Sequence, residues 1–315
     1  MGGAAVGPPL SDAMSTVDEA QTAAPAPGGP GRRLSTFLYR RPWLRLGGLL
    51  AGPVGWLVIA YLGSLAILLL SAFWQVDPFT AEVVREPTLD NFKEIVEEPV
   101  YRTVALRTIG MAAAVTVACA VLAFPIAYTM ARLVSPRTRH LLVVAILIPL
   151  WASYLVKVYS WRIILAENGV LNWLLEPFGL SGPGYTITGT WLVFTYLWLP
   201  YMILPIYAGL ERIPASLLEA SSDLGGRNGT TFVRVVLPLL FPALVAGSIF
   251  TFSLTLGDYI TPQVVGNTQF IGNVIYRNIG VANNLPFAAA YAFVPITVMV
   301  VYLLLARRAG AFENL

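Results

Sequence analysis

The sequence is poor in charge: Asp, Glu, Lys and Arg make up 12% of its 315 residues, where ordinary soluble domains carry roughly a quarter. So few charges cannot cover a water-facing surface, so much of the exterior must face lipid. There is one cysteine, Cys119, which excludes an intrachain disulfide. It lies in an apolar stretch and reads as a small core residue. The one histidine, His140, cannot form a metal site by itself. The lysines are Lys93 and Lys157, and no Gly-Lys dipeptide occurs, which rules out a phosphate-binding Gly-x-x-x-x-Gly-Lys loop. An intramembrane enzyme would need a nucleophile with its base, or clustered metal ligands, and the sequence offers neither. No catalytic residue, metal site, cofactor or nucleic-acid partner is therefore expected for this chain. An ion-driven secondary transporter commonly carries inverted repeats with paired acids in its spans. No internal repeat is visible, and Asp258 is the one acid placed for such a role.

What the chain has in abundance is apolar length. It is 57% hydrophobic, with a mean hydropathy of +0.69. A bilayer crossing needs about 20 such residues. Six stretches qualify, over 46–73, 105–133, 140–164, 188–210, 235–258 and 284–306. This predicts an all-α membrane protein with six transmembrane helices over residues 41–315. Residues 1–40, rich in Ala, Gly and Pro without an apolar core, read as a disordered tail rather than a signal peptide. Arginines cluster before the first span (Arg32, Arg33, Arg40, Arg41, Arg45), between the second and third (Arg132, Arg137, Arg139), between the fourth and fifth (Arg212, Arg227, Arg234) and after the sixth (Arg307, Arg308). Six spans put all four clusters on one side, and the positive-inside rule makes it the cytoplasm, with both termini there. The segment 74–101 on the other side is acidic. Tryptophans near predicted helix ends read as an interfacial belt, and in-span prolines such as Pro149 and Pro200 as kinks.

The longest loop of the arginine-rich side covers 211–236. Pro214 suits a helix start. Ala215 to Leu224 then reads as a short helix stopped by Gly225 and Gly226. Leu217, Ala220 and Leu224 form one stripe, and Glu219 and Asp223 share another face. A second helical segment from about Thr230 leads through Leu237 and Pro238 into the fifth span. Acids disfavour a resting place on the negative inner leaflet. A protein groove suits a short helix with apolar anchors and two carboxylates.

The segment from Glu219 to Pro238 resembles the EAA loop of the permease subunits of ATP-binding-cassette importers. That pattern is Glu-Ala-Ala, three residues, Gly, nine residues, Ile, one residue, Leu-Pro. Here it reads Glu219-Ala220-Ser221, Gly225, Val235, Leu237-Pro238, with Ser221 and Val235 the departures. The resemblance implies the type I importer permease fold. It implies that Leu217, Glu219, Ala220, Ser221, Asp223, Leu224, Gly225, Leu237 and Pro238 form coupling helices that dock on a separate ATPase. Glu219 would meet a cationic group there, and Gly225 would allow the turn between helices. It further implies two copies of the ATP-binding subunit holding ATP and Mg, a second homologous permease subunit, an extracytoplasmic solute-binding protein and a bacterial inner-membrane location.

Thr88-Leu89-Asp90-Asn91-Phe92, Pro149-Leu150-Trp151, Glu167-Asn168-Gly169-Val170-Leu171-Asn172 and the run from Ser253 to Pro262 are similar to the first permease subunit of spermidine/putrescine importers. A polyamine's ammonium groups suit a carboxylate and aromatic faces. Trp151, Tyr154, Lys157, Trp161, Asp258 and Tyr259 are the expected path residues, with Tyr159 and Trp198 as further aromatic faces. Asp258 has a second reading, as a structural partner of Lys157. Importers of ferric iron, opines and other small solutes share parts of the pattern.

Overall fold

A computed structural model describes residues 2–3, 42–77 and 79–310. The tail expected over 1–40 therefore lies, apart from residues 2–3, outside the described residues. By internal contacts the chain forms two units, Met1–Ala66 and Ile67–Leu315. In the first unit, helix α1 (Pro42–Trp56) widens into a π-helical turn over Leu57–Leu62, and α2 (Gly63–Ser71) follows and runs into the second unit.

Within the second unit a short hairpin pairs β1 (Gln75–Val76) with β2 (Val83–Val84), antiparallel. The Asp77 carboxylate closes its turn, accepting from Thr80 N at 3.0 Å and Phe79 N at 2.7 Å. These N–H groups, Thr80's first, hold the Asp77 carboxyl below the usual carboxylate range. The helix α3 (Asp90–Glu97) follows. Asn91 donates to Ala72 O at 2.9 Å and Trp74 O at 2.8 Å. The acidic segment is thus folded onto its own unit rather than being a free loop.

The long helices are α4 (Pro99–Tyr128), α5 (Pro136–Trp151), α8 (Ile187–Arg212), α11 (Leu237–Gly257) and α14 (Leu285–Arg308). Between them lie the shorter α6 (Tyr154–Leu165), α7 (Val170–Leu175), α9 (Ala215–Asp223), α10 (Asn228–Thr231), α12 (Ile260–Val265) and α13 (Ile271–Gly280). Three of the long helices, α5, α8 and α14, begin at a capping side chain. Ser135, Thr186 and Asn284 each accept from a backbone N–H in the first turn, at 3.4, 3.3 and 3.0 Å.

The core is centred on α8, which packs against α4 and α11. Half of its most apolar window is buried. On α4 the buried stripe runs Val104, Thr108, Met111, Val115, Cys119, Ala123, Ala127, at helical spacing. Cys119 is fully buried, as its apolar setting suggested. The approach of α8 to α11 is set by Gly209. A Cβ there would lie 2.7 Å from Ala243 Cβ and 2.9 Å from Leu240 Cδ1.

The expected third span, 140–164, differs from a single rod. Helices α5 and α6 are bent by 93° at their junction. Pro149 weakens the last turn of α5. Ala152 and Ser153 then adopt extended backbone, with ψ of 141° and 132°. Five helices among the described residues are long and apolar enough to cross a membrane, or six if this bent pair counts as one crossing.

Gly209→Val should separate α8 from α11 and destabilise the protein by about 1–3 kcal/mol. Thermal unfolding in detergent is the check. The second substitution Ala243→Gly is expected to recover part of the loss, and no recovery would show that the helix contact is not the cause.

Candidate functional site

Two clusters gather the polar side chains of the bundle, one at each end. The first is the 211–236 loop. Pro214 immediately precedes α9, with extended backbone (ψ 143°), and α9 ends one residue before the expected Leu224. Gly225 takes a left-handed conformation, φ +77°, which a side chain would strain. The helix end is closed by Leu224 N to Ala220 O (3.2 Å), Gly225 N to Ser222 O (2.9 Å) and Gly226 N to Ser221 O (2.8 Å). Ser221 Oγ lies 2.8 Å from Thr231 Oγ1, tying α9 to α10. The chain then enters a π-helical turn, Phe232–Val236, before α11 begins at Leu237 and Pro238.

Burial sorts this hairpin into a root and a tip. Leu218 and Phe232 pack against the main core. Phe232 also meets Phe124 edge-on, with ring centroids 4.8 Å apart. Leu217 is 42% exposed and Leu224 90%. Glu219, Ala220 and Asp223 are exposed as well. Glu219 and Asp223 take part in neither ion pair found among the described residues, Lys93–Asp90 and Arg139–Glu211. The hairpin thus carries two exposed leucines and, among the described residues, two unpaired carboxylates outward.

The second cluster lies at the other end of the bundle. Asp258 ends α11 and accepts four hydrogen bonds. Oδ1 takes Ile260 N at 2.8 Å and Thr261 N at 3.2 Å. Oδ2 takes Thr261 Oγ1 at 2.9 Å and the Tyr154 hydroxyl. Tyr154 opens α6, so this carboxylate fastens α6 to α12. The expected pair of Asp258 with Lys157 does not form. Lys157 is half-buried and belongs to neither ion pair. Asp258 has its lone pairs filled by nearer donors, so it has no need of the ammonium.

The remaining expected path residues are dispersed. Trp161 packs on Tyr196 at 5.3 Å, and Tyr259 stacks on Tyr276 at 4.6 Å. Trp151 is 90% exposed at the bend. Tyr154 instead stacks on Trp198, centroids 6.0 Å apart and 10° from parallel, and Trp198 meets Tyr201 at 6.0 Å. Trp198 is buried in mid-helix rather than in an interfacial belt, and its Nε1–H has no partner among the described residues. Thr261 and Tyr201 escaped the reading of the sequence, although each stands three residues after its partner, Asp258 and Trp198, a spacing that could have found them.

Residues 123–311 match the family model described as the binding-protein-dependent transport system inner membrane component. The chain is 46% identical over 307 residues to the inner membrane ABC transporter permease protein YdcU of Escherichia coli K12, covering 92% of this chain and 98% of that one. It is 32% identical over 268 residues to the spermidine/putrescine transport system permease protein PotB of the same organism, covering 83% and 96%. The fold matches a bacterial ABC transporter involved in the import of the acidic polysaccharide alginate, with a TM-score of 0.66, 17% identity and coverage of 88% and 98%. The chain belongs to the binding-protein-dependent inner-membrane component family, and is a multi-pass inner-membrane permease subunit of a type I ABC importer rather than an enzyme.

Proposed function

We propose that this chain is one of two homologous permease subunits in an importer of polyamines, spermidine or putrescine, received from an extracytoplasmic binding protein. Two copies of a separate subunit bind ATP and Mg and dock on the 211–236 hairpin, which faces the cytoplasm together with both termini. The observation that carries the coupling part is the exposed tip of that hairpin. Leu217 and Leu224 fit apolar sockets, Glu219 and Asp223 meet cationic groups, and Ala220, Ser221 and Gly225 shape the turn. Leu237 and Pro238 pass its motion into α11. Closure of two ATPases around ATP moves their grooves, and a rigid hairpin converts that into helix movement.

Support for a polyamine comes from the 32% identical relative and from the aromatic wall of Tyr154, Trp198 and Tyr201, which suits ammonium groups. The second reading is another small solute carried by the same importer class, such as ferric iron, an opine or an amino-acid-like molecule, and one observation removes an argument for polyamines over these. Asp258 is already engaged by four donors of its own chain, so its charge does not select a cationic cargo.

Glu219→Ala is expected to leave the permease folded and to lower ATP-driven uptake by about tenfold. Uptake equal to wild type in proteoliposomes would remove Glu219 from the coupling role. Calorimetry of the solute-binding protein encoded beside this chain should give binding of putrescine or spermidine. Binding of a sugar or an anion instead would refute the polyamine assignment and leave the importer class standing. Tyr154→Phe should cost about 1–2 kcal/mol of stability by stranding one Asp258 lone pair, with the KM for uptake unchanged. A raised KM at unchanged thermal stability would show that the Tyr154 hydroxyl serves the solute rather than the tie.

A further inference from the structure

We infer that Arg132 and Arg139 form a clamp through which displacement of the coupling hairpin reaches the second and third membrane segments. This rests on the coupling role proposed for the 211–236 loop. Charge bias alone gives these arginines a topological task, which needs only water or headgroups around them. Their donors are used otherwise.

Helix α4 ends at Tyr128 and widens into a π-helical turn over Thr129–Leu133, closed by Val134 N to Thr129 O at 3.3 Å. Such wide turns redirect the side chains that follow. Here the turn lays half-buried Arg132 against the end of α8. Its Nη2 donates to Leu210 O at 2.8 Å and to Ile213 O at 2.6 Å. Both carbonyls sit at the negative end of the α8 dipole, where a cation is favoured. Arg139, from α5, completes the joint. Its Nε donates to Met130 O at 3.0 Å, its Nη2 to Ala131 O at 3.0 Å, and its Nη1 pairs with Glu211 Oε1 at 3.2 Å. Glu211 also accepts from the Tyr207 hydroxyl.

The position of this joint gives it a mechanical role. Ile213 is separated from the first residue of α9 by Pro214 alone, and proline fixes φ. The linker between clamp and coupling helix therefore has almost no slack. A push on α9 arrives at the carbonyls that Arg132 holds, and from there at α4. Through Arg139 it also arrives at α5. Met130, Ala131, Leu210 and Ile213 are all buried, so these bonds lie partly sheltered from water although the two guanidinium groups stay half-exposed.

The test uses the complete complex of permeases, ATPases and binding protein in nanodiscs, followed by amide hydrogen exchange with and without vanadate-trapped ATP. Wild type should respond at 215–224, where the ATPase docks, and also at 124–134. Arg132→Gln should keep the response at 215–224 and lose about tenfold of that at 124–134. Arg132→Lys, whose ammonium can seek the same two carbonyls, should restore part of it. Arg137→Gln, in the first turn of α5 with Arg139 but without a side-chain hydrogen bond among the described residues, should behave as wild type. If Arg132→Gln does not assemble, Arg139→Gln carries the same readout. An unchanged response at 124–134 in the clamp variants overturns the clamp and leaves docking intact. No response at 215–224 in wild type overturns the coupling role, and the clamp with it.

Discussion

A backbone carbonyl left unpaired at a helix end and buried against neighbouring elements must find a donor within the protein. Much of what is distinctive in this permease follows from that constraint. The end of α8 finds its donor in Arg132, and the turn after α4 finds its own in Arg139. On the other side of the bundle the need is for acceptors. The first N–H groups around α12 meet Asp258, which also holds Tyr154. Arg132, Arg139 and Asp258 stand where helices start or stop, and each connects one element to another.

The spans were legible because hydropathy counts residues, and a bilayer is a ruler. Their direction was not. The sequence 140–164 has the length and composition of a crossing, yet Pro149 and the extended pair Ala152–Ser153 turn the chain through a right angle. The shape of the 211–236 loop was legible almost to the residue, because its turn at Gly225 demands a glycine and its spacing is fixed by two short helices. The hydrogen-bond partners were not. Tyr154 and Asp258 are 104 positions apart, and Arg132 and Ile213 are 81 apart. Nothing in the local pattern of either pair announces the other. Lys157 was the natural partner for Asp258 by charge, but hydroxyls and backbone N–H groups lay closer and filled the carboxylate first.

The scaffold is indifferent to its cargo. At 17% identity the chain keeps the fold of an alginate importer, while a 32% identical relative is named for spermidine and putrescine. In this chain the close contact of α8 with α11 rests on Gly209, while Trp198 and Tyr201 pack against one another beside it.

The Ser221–Thr231 hydroxyl contact has a consequence for recognition. Where the related pattern has alanine, this chain has a serine whose Oγ joins the two arms of the hairpin. The two arms are therefore held together by a contact within this chain, and on the coupling role proposed above that contact lowers the chain entropy lost when the tip docks.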